Sequence, residues 1–152
     1  LLNSSWDVDT IVLKHQINIG IAVATSEGLL VPVIHEADKL NVSNLAHAIS
    51  EISDKARNRK LSVEDMQGGT FTVNNTGVLG SIISRALVNP PEAAILTTEA
   101  VYKKPVVVGD QIVIKPIMNM GITFDHRIID GSEAGKFMQS VKDGIELIDS
   151  IS

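Results

Sequence analysis

Along this chain the apolar residues change period from two to about 3.6, twice over, and that order restricts the fold more than any other feature. Ile17, Ile19, Ile21 and Val23 alternate with Asn18, Gly20, Ala22 and Ala24, the pattern of a strand with one buried face. Residues 16–24 are therefore extended, as are residues 6–13 before them. After a turn at Glu27-Gly28, a third strand runs through Leu29, Leu30, Val31, Val33 and Ile34. Leu45, Ile49, Ile52 and Ala56 then recur at helical spacing behind Ser43, a suitable N-cap. Lys55, Arg57, Arg59 and Lys60 gather near the helix end, where the helix dipole favours cations.

The second cycle repeats the order. Ser62-Val63-Glu64-Asp65 is a helix-start signal, quickly stopped by Gly68-Gly69. Residues 70–74 are β-rich and end in the turn-forming cluster Asn74-Asn75-Thr76-Gly77. Residues 93–98 read as a buried strand behind Pro90-Pro91, and Gly109-Asp110 separates two short strands as a hairpin. Met118, Met120, Ile122 and Phe124 alternate into His126, with the two methionines expected as core residues on one strand face. The last helix, capped by Ser132, carries an apolar stripe of Ala134, Phe137, Met138, Val141, Ile145 and Ile148. Strands, helix, strands, helix predict a mixed α/β sandwich, a sheet with helices packed on one face.

Composition narrows the function classes. The 152 residues make one domain, or a large part of one, with enough chain for a real core. A net charge of −5 gives no broad nucleic-acid footprint, and no run of 18 apolar residues offers a transmembrane helix. There is no cysteine, which fits a reducing compartment. Any thiol chemistry must then use a thiol brought by the substrate. The opening Leu1-Leu2-Asn3-Ser4-Ser5 is neither a signal peptide nor a charged targeting segment; it reads as mid-domain sequence, and the chain is expected to be part of a longer protein.

Chemistry concentrates at Asp125-His126-Arg127-Ile128-Ile129-Asp130-Gly131, where a strand gives way to a helix. An imidazole there can take a proton from a thiol or hydroxyl nucleophile, and the charges around it suggest an orienting network. The competing reading is a histidine that merely hydrogen-bonds at a strand end. Asn74 and Asn75 end a strand beside Gly77 and Gly80; their amides can donate to a developing oxyanion or simply build a turn. His15, His35 and His47 lack metal-ligand spacing. Ser81, Ser84 and Ser132 lack a nucleophile elbow, so a Ser-His-Asp hydrolase is disfavoured.

The Asp-His-Arg-x-x-Asp-Gly pattern of residues 125–131 resembles the signature of the dihydrolipoamide acyltransferases, the E2 cores of 2-oxo acid dehydrogenase complexes. Residues 17–24 with Gly28-Leu29-Leu30-Val31-Pro32-Val33 resemble the family's early strands, residues 68–77 its central turn, and residues 89–96 the stretch that follows. The resemblance runs from about Ile17 to the C-terminus. It implies a chloramphenicol-acetyltransferase-like α/β sandwich in which acyl groups pass between a lipoyl-arm thiol and coenzyme A. It also implies homotrimers with active sites at subunit interfaces, building a cubic or icosahedral core, and E1 and E3 components recruited through other domains. By the same resemblance His126 is the general base on the attacking thiol and Asp130 belongs to the network ordering the site. Asn74 falls where many members carry a serine or threonine that donates to the oxyanion.

The family's catalytic domain begins upstream of Leu1, so residues 1–152 are expected to be its larger C-terminal part, with no lipoyl or subunit-binding domain. The implied location is the bacterial cytoplasm, or the mitochondrial matrix in a eukaryote. Asn74-Asn75-Thr76-Gly77 looks more like bacterial branched-chain members than others. Two alternatives stand beside this reading. A non-catalytic core scaffold is disfavoured by His126, and a small-molecule acetyltransferase of the same fold by the central turn and Asn89-Pro90-Pro91.

Overall fold

A computed structural model describes residues 1–149 of the chain. Its centre is a five-stranded mixed sheet in the order β11-β8-β7-β3-β6. The strands are β3 (Ile19–Ile21), β6 (Val33–Ile34), β7 (Phe71–Asn75), β8 (Ala94–Thr98) and β11 (Met120–Phe124). β3, β7 and β8 run parallel, while β11 and β6 lie antiparallel at the two edges. Three hairpins surround the sheet: β1–β2 (Ser4–Asp7, Thr10–Leu13), β4–β5 (Val23–Thr25, Gly28–Leu30) and β9–β10 (Tyr102–Val108, Gln111–Ile117). Helices α1 (Val42–Arg57) and α2 (Gly131–Asp149) complete the fold, the predicted sandwich with helices on one face.

Strand alternation decides which residues meet those helices. Ile19 and Ile21 of β3 pack with Leu45, Ile49 and buried Ile52 of α1. Phe71, Ala94, Leu96, Ile122 and Phe124 pack with Ala134, Phe137, Met138 and Val141 of α2, and Phe71 meets Phe137 edge to face at 5.6 Å. Between the two clusters an apolar groove lined by Ile19, Leu45, Phe71, Val73 and Phe137 stays open to solvent. The other set of alternating residues, Thr72 and Asn74 on β7 and Thr97 on β8, points to the opposite face. Thr72 is fully buried there, its hydroxyl donating to Glu92 at 2.6 Å.

Several sequence expectations need correction. Residues 6–13 form a hairpin, turning at Val8, whose φ of 50° is one that β-branched residues disfavour. Residues 16–24 divide at Ala22 into β3, which joins the central sheet, and β4, which pairs with β5 instead; the Ala22 N–H still donates to the Val73 carbonyl of β7 at 3.1 Å. The third strand divides around Pro32 into β5 and β6. The cap of α1 is Asn41, whose side chain accepts from the Asn44 N–H, and the cap of α2 is Asp130, whose carboxylate accepts from Glu133 at 2.8 Å. Ser43 and Ser132 each sit two positions past the cap. The α2 stripe turns away from the core after Val141, since Ile145 is 46% exposed; the Ile148 side chain lies outside the described residues. Met118 precedes β11, and both it and Met120 are half-buried, not core. The Ser62–Asp65 signal does form, as a reciprocal box closing a single 3-10 turn.

One buried amide ties three segments together. Asn18 donates to the Gly68 carbonyl at 2.8 Å and accepts from the Glu36 N–H at 2.9 Å. Asn18→Ala removes two part-buried hydrogen bonds, each contributing about 0.5–1.5 kcal/mol net. Urea unfolding should show a loss of about 2 kcal/mol; an unchanged midpoint would mean the amide contributes nothing to holding the segments.

Candidate active site

His126 stands on a turn between β11 and α2, and the turn is built by its neighbours. The Asp125 carbonyl accepts N–H groups from both Ile128 and Ile129 at 3.0 Å, and the Asp125 N–H donates to Ala93 at 2.8 Å. Ile128 and Ile129 are 6% and 1% exposed, sunk into the α2 cluster. His126 is left exposed, with its ring 5.5 Å from that of Phe124. The charges flanking it pair with each other. Arg127 donates to both Asp125 oxygens, to Oδ1 at 3.0 Å and to Oδ2 at 2.6 Å, and its guanidinium lies 4.9 Å from the centre of the Trp6 ring. That guanidinium, with the Arg127 backbone N–H, holds the Asp125 carboxyl below the usual carboxylate range. Asp130 is spent on capping α2. Among the described residues His126 makes no hydrogen bond, so the orienting network acts on the turn's backbone and leaves the imidazole open to a ligand.

Asn74 lies near the C-terminal end of β7, half-buried, on the face away from the helices. Its amide has no side-chain hydrogen bond among the described residues, whereas the Asn75 oxygen accepts from the Gly77 N–H at 2.9 Å. Asn75 is thus the turn builder and Asn74 the available donor. The turn itself rests on Glu99, which sequence reasoning missed. Its carboxylate accepts from the Thr76 and Ser84 hydroxyls, each at 2.6 Å. These bonds hold the carboxyl below its ordinary range. Gly77 is required by space, because a Cβ there would stand 2.5 Å from the Glu99 carbonyl.

The two candidates do not share a pocket within one chain. Asn74 pairs with Thr97, and Thr97 with Gly121. His126 lies beyond Phe124, so more than ~10 Å along the strands and two strand spacings of ~4.8 Å separate it from Asn74. They occupy opposite ends of the sheet. A cleft of about 840 Å³ lies elsewhere; His15, Asn18, Gly69 and Glu92 are among its lining, and it reaches neither candidate. Burial pushes the Glu92 carboxyl up there. No set of three metal-ligating side chains occurs among the described residues, and Ser84, the serine nearest a carboxylate, donates to Glu99 and has no histidine partner.

Comparison with known proteins gives a consistent answer. The family model described as "2-oxoacid dehydrogenases acyltransferase (catalytic domain)" matches residues 1–152. The lipoamide acyltransferase component of a branched-chain alpha-keto acid dehydrogenase complex from Bacillus subtilis is 46% identical over 149 residues, covering 97% of this chain and 35% of that protein. The chain spans about a third of the length of the curated relatives it matches. The crystal structure of a probable dihydrolipoamide acetyltransferase from Listeria monocytogenes superimposes with a TM-score of 0.94 at 48% identity, over 97% of this chain and 63% of that one. The dihydrolipoamide acetyltransferase of Azotobacter vinelandii superimposes at 0.90 with 35% identity, over 93% and 59%; the role of a serine, a histidine and an asparagine in its catalytic mechanism has been investigated. On this fold, this sequence and a match spanning its whole length, the chain belongs to the 2-oxoacid dehydrogenase acyltransferase family, within its catalytic domain.

Proposed function

We propose that the chain is the larger C-terminal part of an E2 catalytic domain. It moves an acyl group from a dihydrolipoyl thioester to coenzyme A, with His126 as general base. The observation that carries this is the exposed imidazole of His126, unpaired among the described residues, on a turn locked by buried Ile128 and Ile129. Such a group is free to bind a thiol yet fixed in direction. His126 takes the proton of the coenzyme A thiol as sulfur attacks the thioester carbonyl. The resulting tetrahedral oxyanion accepts a hydrogen bond from the Asn74 amide. Collapse expels the dihydrolipoyl thiolate, which receives the proton from the imidazolium. Asp130 serves the site by capping α2 and so holding the end of the His126 turn.

Two observations support this assignment of roles. In the Azotobacter vinelandii enzyme the spacings from the investigated serine to the histidine, and from that histidine to the asparagine, equal those from Asn74 to His126 and from His126 to Asp130. The separation of Asn74 and His126 at opposite sheet ends suits a site made from two chains, each supplying one residue. We infer a homotrimer as the building unit of a larger core, with E1 and E3 components and the lipoyl arm engaged through other domains. Exposed Val78, Leu79, Ile83 and Leu87 beside the Asn74 turn, and Val107, Ile112 and Ile114 on the β9–β10 hairpin, offer apolar surface for such contacts. The open groove over Phe71 and Val73 suits cover by the remaining part of the domain. For the acyl group, the relatives' names divide among succinyl, branched-chain and acetyl; the Asn74–Gly77 turn leans to branched-chain. The location that goes with this reading is the bacterial cytoplasm or the mitochondrial matrix.

His126→Ala in the full-length protein should lower acyl transfer by about 10²–10⁴-fold with assembly intact. Near-normal turnover would remove His126 from the mechanism. Asn74→Ala should lower kcat by roughly 10²–10³-fold with little change in KM, and Asn74→Ser should recover part of the loss. A change confined to KM would mark Asn74 as a binding residue. Light scattering on the complete domain should give a mass that is a multiple of three chains; an active monomer would overturn the two-chain site.

A further inference from the structure

We propose that Glu99 is a positioning residue for the oxyanion donor, acting through Thr76 on the turn that presents Asn74. This rests on the reading of Asn74 given above. Glu99 is 4% exposed, and among the described residues it has no ion-pair partner. A carboxylate buried without a cation is costly and persists only when its oxygens are hydrogen-bonded. Here one oxygen accepts from Thr76 and the other from Ser84, both at 2.6 Å, and the two hydroxyl oxygens are themselves 3.1 Å apart. Because a carboxylate only accepts, both hydroxyl protons must point inward at it. The triangle therefore has one arrangement.

Each corner belongs to a different segment. Thr76 sits two residues after Asn74, Glu99 directly after β8, and Ser84 on the connection between them. The backbone repeats the same joins: the Thr76 N–H donates to Thr98, the Glu99 N–H to Asn119 and the Ala100 N–H to Ser81. Gly77 lies so close to the Glu99 carbonyl that no side chain fits between them. The turn thus cannot slide along β8 without breaking bonds to a buried charge, and the last residues of β7 move with it. Glu99 is too poorly placed for direct chemistry, since its oxygens are covered and its negative charge would oppose an oxyanion. Its function is to fix where the Asn74 amide stands.

The test is a double-mutant comparison in the full-length assembled protein, with kcat, KM, thermal midpoint and mass measured for each variant. Thr76→Val removes the hydroxyl at constant shape and should lower kcat roughly 10-fold at unchanged KM, because a small misplacement of a catalytic donor is expensive. Thr76→Ser, which keeps the hydroxyl, should restore most of it. In an Asn74→Ala background, Thr76→Val should cost less than about 2-fold more, since residues acting as a unit are not additive. Glu99→Gln should fall between wild type and Thr76→Val. Should Thr76→Val not assemble, Ser84→Ala carries the same comparison from outside the turn. A full 10-fold loss from Thr76→Val in both backgrounds would overturn the positioning role while leaving Asn74 as donor. An Asn74→Ala variant with unchanged kcat would instead overturn the reading of Asn74, and this proposal with it.

Discussion

Burial of Ile128 and Ile129 is the constraint on which the rest of the His126 end depends. Ile128 and Ile129 both sink into one apolar cluster, which consecutive residues of a strand, pointing to opposite faces, cannot do, so the chain must leave β11 after Phe124. It does so by folding both N–H groups back onto the Asp125 carbonyl. Their side chains then fill the space among Phe71, Ala93, Ala94 and Ala134. Ala93 and Ala94 are fully buried, and their small side chains leave that space available. The hydrophobic term is non-directional, yet here it sets a direction, because sinking Ile128 and Ile129 leaves His126 outside. The Arg127–Asp125 pair and its stacking on Trp6 close the turn from the solvent side.

The opposite end of the sheet is organised by polar contacts. Glu99, Thr76 and Ser84 replace a hydrophobic anchor with a buried carboxylate whose acceptors are filled. Parallel pairing of β7 with β8 carries Asn74 to that end, while antiparallel β11 carries His126 to the other. The two candidate residues therefore stand at opposite ends of the sheet. The fold is shared with a family whose solved members include the cubic core of a pyruvate dehydrogenase multienzyme complex, and the loop near Asn74 exposes Val78, Leu79, Ile83 and Leu87.

Much of the fold was legible because the signals were local. The period-two run around Ile19, the 4-3-4 spacing from Leu45 to Ala56 and the Gly109-Asp110 turn each describe one element through residues a few positions apart. Errors fell where tertiary contacts overrode local preference. Val8 and Asp9 turn the chain with a β-branched residue at positive φ, as the two strands pair from Ser4 against Leu13 to Asp7 against Thr10. Asn41 and Asp130 cap the helices in place of the serines two residues on, because the packed apolar faces set where each helix starts.

The candidate site divides along the same line. The sequence by itself determined the residue types and their order: an imidazole after a strand and before a helix, an amide pair ahead of Gly77, and the family pattern joining them. It also carried Gly77, though not the reason for it. Only the tertiary structure decided that Asn75 is consumed by the turn and Asn74 is not, that Asp130 caps a helix, and that His126 and Asn74 stand at opposite ends. Glu99 was invisible for a physical reason. Its partners lie 15 and 23 residues away in the chain, and a buried charge is recognised by what satisfies it, which strand pairing alone brings together.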